Sequence, residues 1–210
     1  MILYHALLRA GYRPFMRTIF RIEIGGAERI PAAGPCILAA NHESIVDPYV
    51  LGVVTARPIH FMAKNELWRS RLTRLLMEGF GAFPVERGTG DNAAMGRAGQ
   101  LLARGEVLGI FPQGTCLPQR RRPYLRGAAR LALATGSPLV PVCMVGTERL
   151  LRPHKMKVGL PKLRILVGRP LEVARQRPTL VAARRLMQHV EEVIAELRLP
   201  YGEPQHAWID

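Results

Sequence analysis

Beyond residue 30 the chain alternates short apolar runs with segments of helical periodicity, and this alternation constrains its fold more than any other feature. "CILAA" (36–40), "IHFMA" (59–63), "VLGIF" (107–111), "LVPVCMV" (139–145) and "LRILVG" (163–168) read as strands, and "GAFPVE" (81–86) reads as extended. Between them, "PYVLGVVTA" (48–56, opened by Pro48), "ELWRSRLTRLLME" (66–78), "DNAAMGRAGQLLARG" (91–105) and "GAARLALATG" (127–136) read as helices. A long amphipathic helix, "TLVAARRLMQHVEEVIAEL" (179–197), follows. Strands separated by helices predict an α/β fold: a central sheet, largely parallel or mixed, flanked by helices on both faces. Ligands of such folds gather beyond the carboxyl ends of the strands. His42, Gln113-Gly114-Thr115 and Gly146-Thr147 each follow a predicted strand end.

The first 22 residues have a different character. Arg9, Arg13, Arg17 and Arg21 recur every fourth position, with Leu8, Phe15, Ile19 and Ile22 on roughly the opposite side of a helical wheel and Tyr12 at their edge. A basic stripe opposite an aromatic and aliphatic one suits a helix lying in a membrane interface. A terminal helix packed on the domain with its arginines in water would show the same pattern. Pro14 predicts a break into two short helices joined at "GYRP". The chain therefore divides into an N-terminal amphipathic segment (1–22), an α/β domain (23–200) and a tail (201–210).

Charge narrows the class of partner. Lys and Arg number 30 against 16 Asp and Glu, a formal net charge of +14. Such an excess points to nucleic acid, an acidic lipid surface or a phosphorylated substrate. No nucleic-acid motif accompanies the charge and aromatics are few, so nucleic acid is not expected, and the placement of the arginines favours an anionic membrane surface. No run approaches 18 uninterrupted apolar residues, and arginines interrupt the N-terminus where a signal peptide would be apolar. The expected location is peripheral or monotopic, on the cytoplasmic face of the cell membrane. Cys36, Cys116 and Cys143 are odd in number and share no metal-ligand spacing, which fits a reducing compartment with neither a disulfide framework nor a metal site.

The stretch "AANHESIVDP" (39–48) carries the first candidate chemistry. His42 directly after a strand would stand in a cleft, while Asp47 before Pro48 makes a good helix-capping pair and Asn41 a turn residue. Taken alone, these residues leave catalysis and capping both open. Three further blocks follow in order. Asn41-His42-Glu43-Ser44-Ile45-Val46-Asp47 resembles the NHxSxxD signature of the PlsC-like glycerolipid acyltransferases. Gly81-Ala82-Phe83-Pro84-Val85-Glu86-Arg87 resembles that family's second block, and Phe111-Pro112-Gln113-Gly114-Thr115 its third. Val140-Pro141-Val142 with Gly146-Thr147 resembles the fourth, and "AKNEL" (63–67) resembles the usual sequence between the first two. The likeness spans roughly residues 30–170.

The resemblance implies that His42 is a general base, taking the proton of an acceptor hydroxyl as its oxygen attacks an acyl thioester. Asp47 would bond the other ring nitrogen, fixing the tautomer and stabilising the imidazolium. It further implies no cofactor, with acyl-CoA or acyl-ACP as co-substrate and coenzyme A or acyl-carrier protein as the carrier partner. The implied acceptor is a lysophospholipid, 1-acylglycerol-3-phosphate, giving phosphatidic acid. Arg87 would grip the phosphate through its fork, the Gly114-Thr115 turn would offer N–H groups and a hydroxyl, and Gln113 and Lys64 complete the substrate-binding set.

Two departures from the pattern put the acceptor in question. The third block reads "FPQGTC", with Gln113 for glutamate and Cys116 for arginine, and Leu125 stands where a later basic residue is usual. Arg120, Arg121 and Arg122 could replace the missing charge. The same acyl transfer to another lysolipid, an amine or a specialised metabolite is therefore the second reading. Cys116 could alternatively act as a nucleophile paired with His42, although the family reaction needs no covalent intermediate. A basic lipid- or nucleic-acid-binding protein without chemistry is the remaining alternative.

Overall fold

The computed structural model describes residues 2–86, 92–116, 123–152, 157–158 and 160–204. Its strands are β1 (Glu23–Gly25), β2 (Cys36–Ala40), β3 (Ile59–Lys64), β4 (Ala82–Val85), β5 (Val107–Ile110), β6 (Leu139–Val145), β7 (Leu151–Arg152), β8 (Lys157–Val158) and β9 (Arg164–Val167). Seven of them form one sheet in the order β1-β9-β6-β2-β5-β3-β4, and β7 pairs with β8 in a separate antiparallel ribbon. The five strands from β6 to β4 are mutually parallel. At the other side β9 runs antiparallel to β6, and β1 runs parallel to β9. Mixed pairing thus enters only beyond β6.

The central strands are apolar on both faces because both faces are covered: all five residues of β2 and all seven of β6 are buried. Alternation along β2 sends Cys36, Leu38 and Ala40 to one core and Ile37 and Ala39 to the other. The first core is closed by α2 (Asp47–Leu51) and by Met16 of α1 (Ile2–Ile19). The second lies under α4 (Asn92–Ala103), α5 (Gly127–Thr135) and α6 (Leu180–Arg198). Ala94, Ala98 and Leu102 of α4 are buried at fourth positions, the small residues allowing close approach to the sheet. On α6, Thr179 caps the start by accepting from the Ala182 N–H at 3.2 Å.

Three helix expectations need correction. Pro14 does not divide the N-terminal segment; it lies inside one helix that runs from Ile2 to Ile19. Proline removes a single donor, and packing on either side of it offsets the loss: Met16 is buried, and the Tyr12 hydroxyl donates to the Tyr49 carbonyl at 2.6 Å. The helix expected over 48–56 closes after Leu51. Gly52 follows, and the Val53 and Val54 N–H groups bond three residues back, a tightening that suits a glycine and two β-branched residues. The helix expected over 66–78 is two pieces, a 3₁₀ turn (Asn65–Trp68) and α3 (Arg71–Gly79), because Ser70 is extended between them. Ser70 is a helix-starting residue type, and the periodic pattern ran through it.

Candidate active site

Parallel pairing puts the carboxyl ends of β2, β3, β4, β5 and β6 at one edge of the sheet. Asn41 and His42 leave β2 there, and Phe111 to Gln113 leave β5 beside them. His42 Nδ1 lies 2.8 Å from Asp47 Oδ2. Asp47 is fully buried, while the His42 side chain keeps about 12% of its surface open. With Nδ1 bound to the carboxylate, Nε2 is the nitrogen on the far side of the ring. That is the arrangement a positioned general base requires.

Asp47 does not cap α2 in the expected way. The Glu43 and Ser44 N–H groups donate to its Oδ2 at 2.6 and 2.8 Å, so the carboxylate reaches back across the turn instead of forward into the helix. The turn itself explains why: the Asp47 N–H bonds the Ser44 carbonyl and folds residues 44–47 tightly before the helix begins. One carboxylate oxygen therefore holds both the loop and the imidazole.

The other side of His42 is held by the turn that follows β5. Phe111 stacks on the imidazole at 4.4 Å between centroids, and Phe61 of β3 lies parallel to Phe111 at 6.1 Å. The His42 backbone N–H donates to Gln113 Oε1. Gln113, expected to contact substrate, is buried and spends its amide oxygen on the histidine's own backbone. The Gly114 N–H is likewise used, bonding the Phe111 carbonyl at 3.0 Å to close the turn. Gly114 has φ +70, a left-handed conformation that favours glycine, while the nearest atom to a Cβ there, the exposed Leu125 Cδ1 at 2.9 Å, could move aside. Thr115 is partly exposed beyond the turn, and Lys64 is exposed at the carboxyl end of β3 on the same edge. Arg87, Arg120, Arg121 and Arg122 lie outside the described residues.

Three residues support the site in ways that sequence reasoning did not assign. Asn41 is no mere turn residue: its side chain donates to the Met144 carbonyl at 2.9 Å and accepts from the Met144 N–H at 2.6 Å. It thereby extends the β2–β6 ladder by one side-chain step, just before the histidine. Arg198, at the end of α6, donates to the same carbonyl at 3.1 Å and sits 3.6 Å from Glu148. Glu148 is buried and accepts from the Gly146 N–H at 3.0 Å, so both charges are neutralised and hydrogen-bonded inside the protein. Asn41 was visible as a polar residue after a buried strand and as the first residue of the NHxSxxD-like block, but its bond to β6 was not. Nothing local hinted at Arg198.

A family model described as "Acyltransferase" matches residues 21–145, a span that contains the His42–Asp47 pair and the Gln113 turn. The chain belongs to the acyltransferase family. Its relatives include the 1-acyl-sn-glycerol-3-phosphate acyltransferase of Bacillus subtilis, 32% identical over 157 residues, covering 73% of this chain and 75% of that one. The protein of the same description from Borreliella burgdorferi is 29% identical over 134 residues, 61% of this chain and 52% of that one. This acyltransferase thus spans three quarters of the first relative and about half of the second. The crystal structure of PlsC, the 1-acyl-sn-glycerophosphate acyltransferase of Thermotoga maritima, superposes with a TM-score of 0.75 over 95% of this chain and 82% of that one, at 20% identity. The shared fold is the mixed α/β sheet flanked by helices. As an O-acyltransferase, the chain needs a base at the acceptor hydroxyl and room for an activated acyl group.

Proposed function

We propose that this acyltransferase moves a fatty acyl group from a thioester of coenzyme A or acyl-carrier protein to the free hydroxyl of 1-acylglycerol-3-phosphate, giving phosphatidic acid. The observation that carries the reading is the 2.8 Å contact between His42 Nδ1 and buried Asp47 at the carboxyl edge of the sheet. The acceptor hydroxyl gives its proton to His42 Nε2 as its oxygen bonds to the thioester carbonyl carbon. The tetrahedral adduct collapses, the C–S bond breaks, and the departing thiolate takes the proton back from the imidazolium. Asp47, with its charge already ordered by two backbone N–H groups, stabilises the imidazolium between those steps. No covalent enzyme intermediate is required, so Cys116 is given no chemical role.

Arg87, outside the described residues, is assigned to the acceptor phosphate from the sequence motif, and Lys64 and Thr115, at the carboxyl edge of the sheet, are assigned to the same role. Gln113 supports the ordinary acceptor more than it opposes it, since an amide oxygen accepts the His42 N–H as a carboxylate oxygen would. The second reading, a different acceptor, is favoured by Cys116, a partly exposed neutral residue where the resembled motif has an arginine. We also assign the N-terminal helix to docking on an anionic bilayer. Among the described residues, no helix is long and apolar enough to cross a membrane.

The test is acyl transfer in lipid vesicles, with acyl-carrier-protein and coenzyme A thioesters offered separately. Lysophosphatidic acid, neutral lysolipids and lipid amines serve as acceptors, and products are identified by mass. Phosphatidic acid should dominate, and His42→Ala should lower turnover by about 10²–10⁴ with the circular dichroism spectrum unchanged. Near-wild-type turnover by that variant would overturn the mechanism. A silent phosphate acceptor beside an active neutral one would select the second reading.

A further inference from the structure

No residue of α3 is buried. Leu72, Leu75 and Leu76, at i, i+3 and i+4, share one side of the helix and are 67%, 58% and 46% exposed. Leu67, in the preceding 3₁₀ turn, is exposed as well. At the end of the helix, Phe80, directly after α3, packs edge-on against Tyr12 of α1 at 5.3 Å and Tyr49 of α2 at 4.6 Å. Tyr12 shares its side of α1 with Phe15 and Ile19, three and seven positions on, and both of those are exposed. The Tyr12–Phe80 contact thus brings the end of α3 beside the apolar stripe of α1. Isolated exposed apolar residues are ordinary; a helix that turns three leucines outward beside a second exposed apolar stripe is not.

The border of this surface carries cationic side chains. Arg69 and Arg71 are exposed beside the leucines, whereas Arg74 lies on the far side of the helix, paired with Glu78 at 3.0 Å. Long cationic side chains beside an apolar stripe suit a bilayer, where the stems lie along the acyl region and the guanidinium groups reach phosphates. The helix connects β3 to β4, two strands whose carboxyl ends share the edge that carries His42. We propose that α3 is a lipid-docking element in its own right, inserting Leu72, Leu75 and Leu76 into an anionic bilayer surface alongside Phe15 and Ile19. This goes beyond the assignment of the N-terminal arginine stripe, because it places the apolar anchor on the α/β domain, in the connection between two strands of the catalytic edge.

The test is flotation of the full chain with phosphatidylcholine vesicles, with and without phosphatidylglycerol. A Leu72→Gln/Leu75→Gln/Leu76→Gln variant should lose about 10²-fold in partition to mixed vesicles. A Leu180→Gln/Val181→Gln variant serves as control. Those residues are also exposed but sit at the start of α6, on the other sheet face, and their loss should leave partition within twofold. Should the triple variant misfold, Leu75→Trp replaces it, with an expected gain in partition and a blue shift in emission on vesicles. Unchanged partition of a folded triple variant, or no spectral shift with Leu75→Trp, overturns the proposal. So does a triple variant that binds vesicles normally but no longer responds to acyl-carrier protein, which would make α3 a protein dock. Partition is read without turnover, so a failure to acylate lysophosphatidic acid would refute the proposed function and leave this inference standing.

Discussion

Three N–H groups converge on one oxygen of Asp47, those of the Glu43 and Ser44 backbone and the Nδ1 side of His42, and its other oxygen is buried without a partner among the described residues. Asparagine at this position keeps the size and one acceptor oxygen but removes the charge that stabilises an imidazolium. Asp47→Asn should therefore lower kcat by about 10²–10⁴ and change KM little, as measured by steady-state kinetics in vesicles. An unchanged kcat would reduce Asp47 to a loop-holding role. The cysteines give a second residue-scale prediction. Burial pushes the Cys36 thiol up to about 11 and the Cys143 thiol up to about 12, beyond their usual 9, so at pH 8 neither holds much of the nucleophilic thiolate. Cys116 is partly exposed. Native protein treated with a neutral alkylating reagent should gain one adduct, mapped to Cys116 by peptide mass, and three only after unfolding. Rapid native labelling of Cys36 or Cys143 would contradict the packing of β2 and β6.

At the scale of elements, β5 controls the histidine through a row of rings. Gly109 lies against Phe61, and a Cβ at Gly109 would stand 2.4 Å from the Phe61 ring. Phe61 lies parallel to Phe111, and Phe111 stacks on His42. Gly109→Ala should cost about 1–3 kcal/mol in denaturant unfolding, because a packed core accommodates an added methyl only by displacing side chains. It should also lower kcat, since the displaced ring abuts the one that seats the imidazole. Wild-type stability and rate together would mean that Phe61 moves independently of the site. This coupling was not legible in the sequence, where "VLGIF" shows only a strand with a glycine in it. What was legible followed from periodicity. The short runs 36–40, 107–111 and 139–145 became strands because only a two-sided core accepts such residues, and the motif order brought His42 and the Gln113 turn to one edge. What failed followed from tertiary context: the packing of Tyr12 and Met16 carries a helix through Pro14, and an extended Ser70 splits a periodic stretch. Arg198 reaches Met144 and Glu148 from the far end of α6, and no local pattern encodes a contact 54 residues apart.

For the molecule as a whole, the proposed membrane binding would draw on two separable sources, the formal charge of +14 and the exposed apolar surface. Charge attraction to anionic lipid acts through solution and is screened over about 10 Å at 0.1 M salt. Leucine insertion removes apolar surface from water and is nearly indifferent to salt. Binding to vesicles containing phosphatidylglycerol should therefore weaken by about tenfold or more between roughly 0.05 and 0.5 M salt, and then level off at the affinity shown for neutral vesicles. Replacing Leu72, Leu75 and Leu76 by glutamine should lower that plateau while leaving the slope in salt unchanged. Neutralising Arg13 and Arg17 of α1 should flatten the slope while leaving the plateau. Flotation across a salt series with both variants reads the two quantities independently. A plateau unaffected by the leucines would assign the whole affinity to charge. A slope unaffected by the arginines would move the electrostatic contact off the N-terminal helix and onto the domain itself.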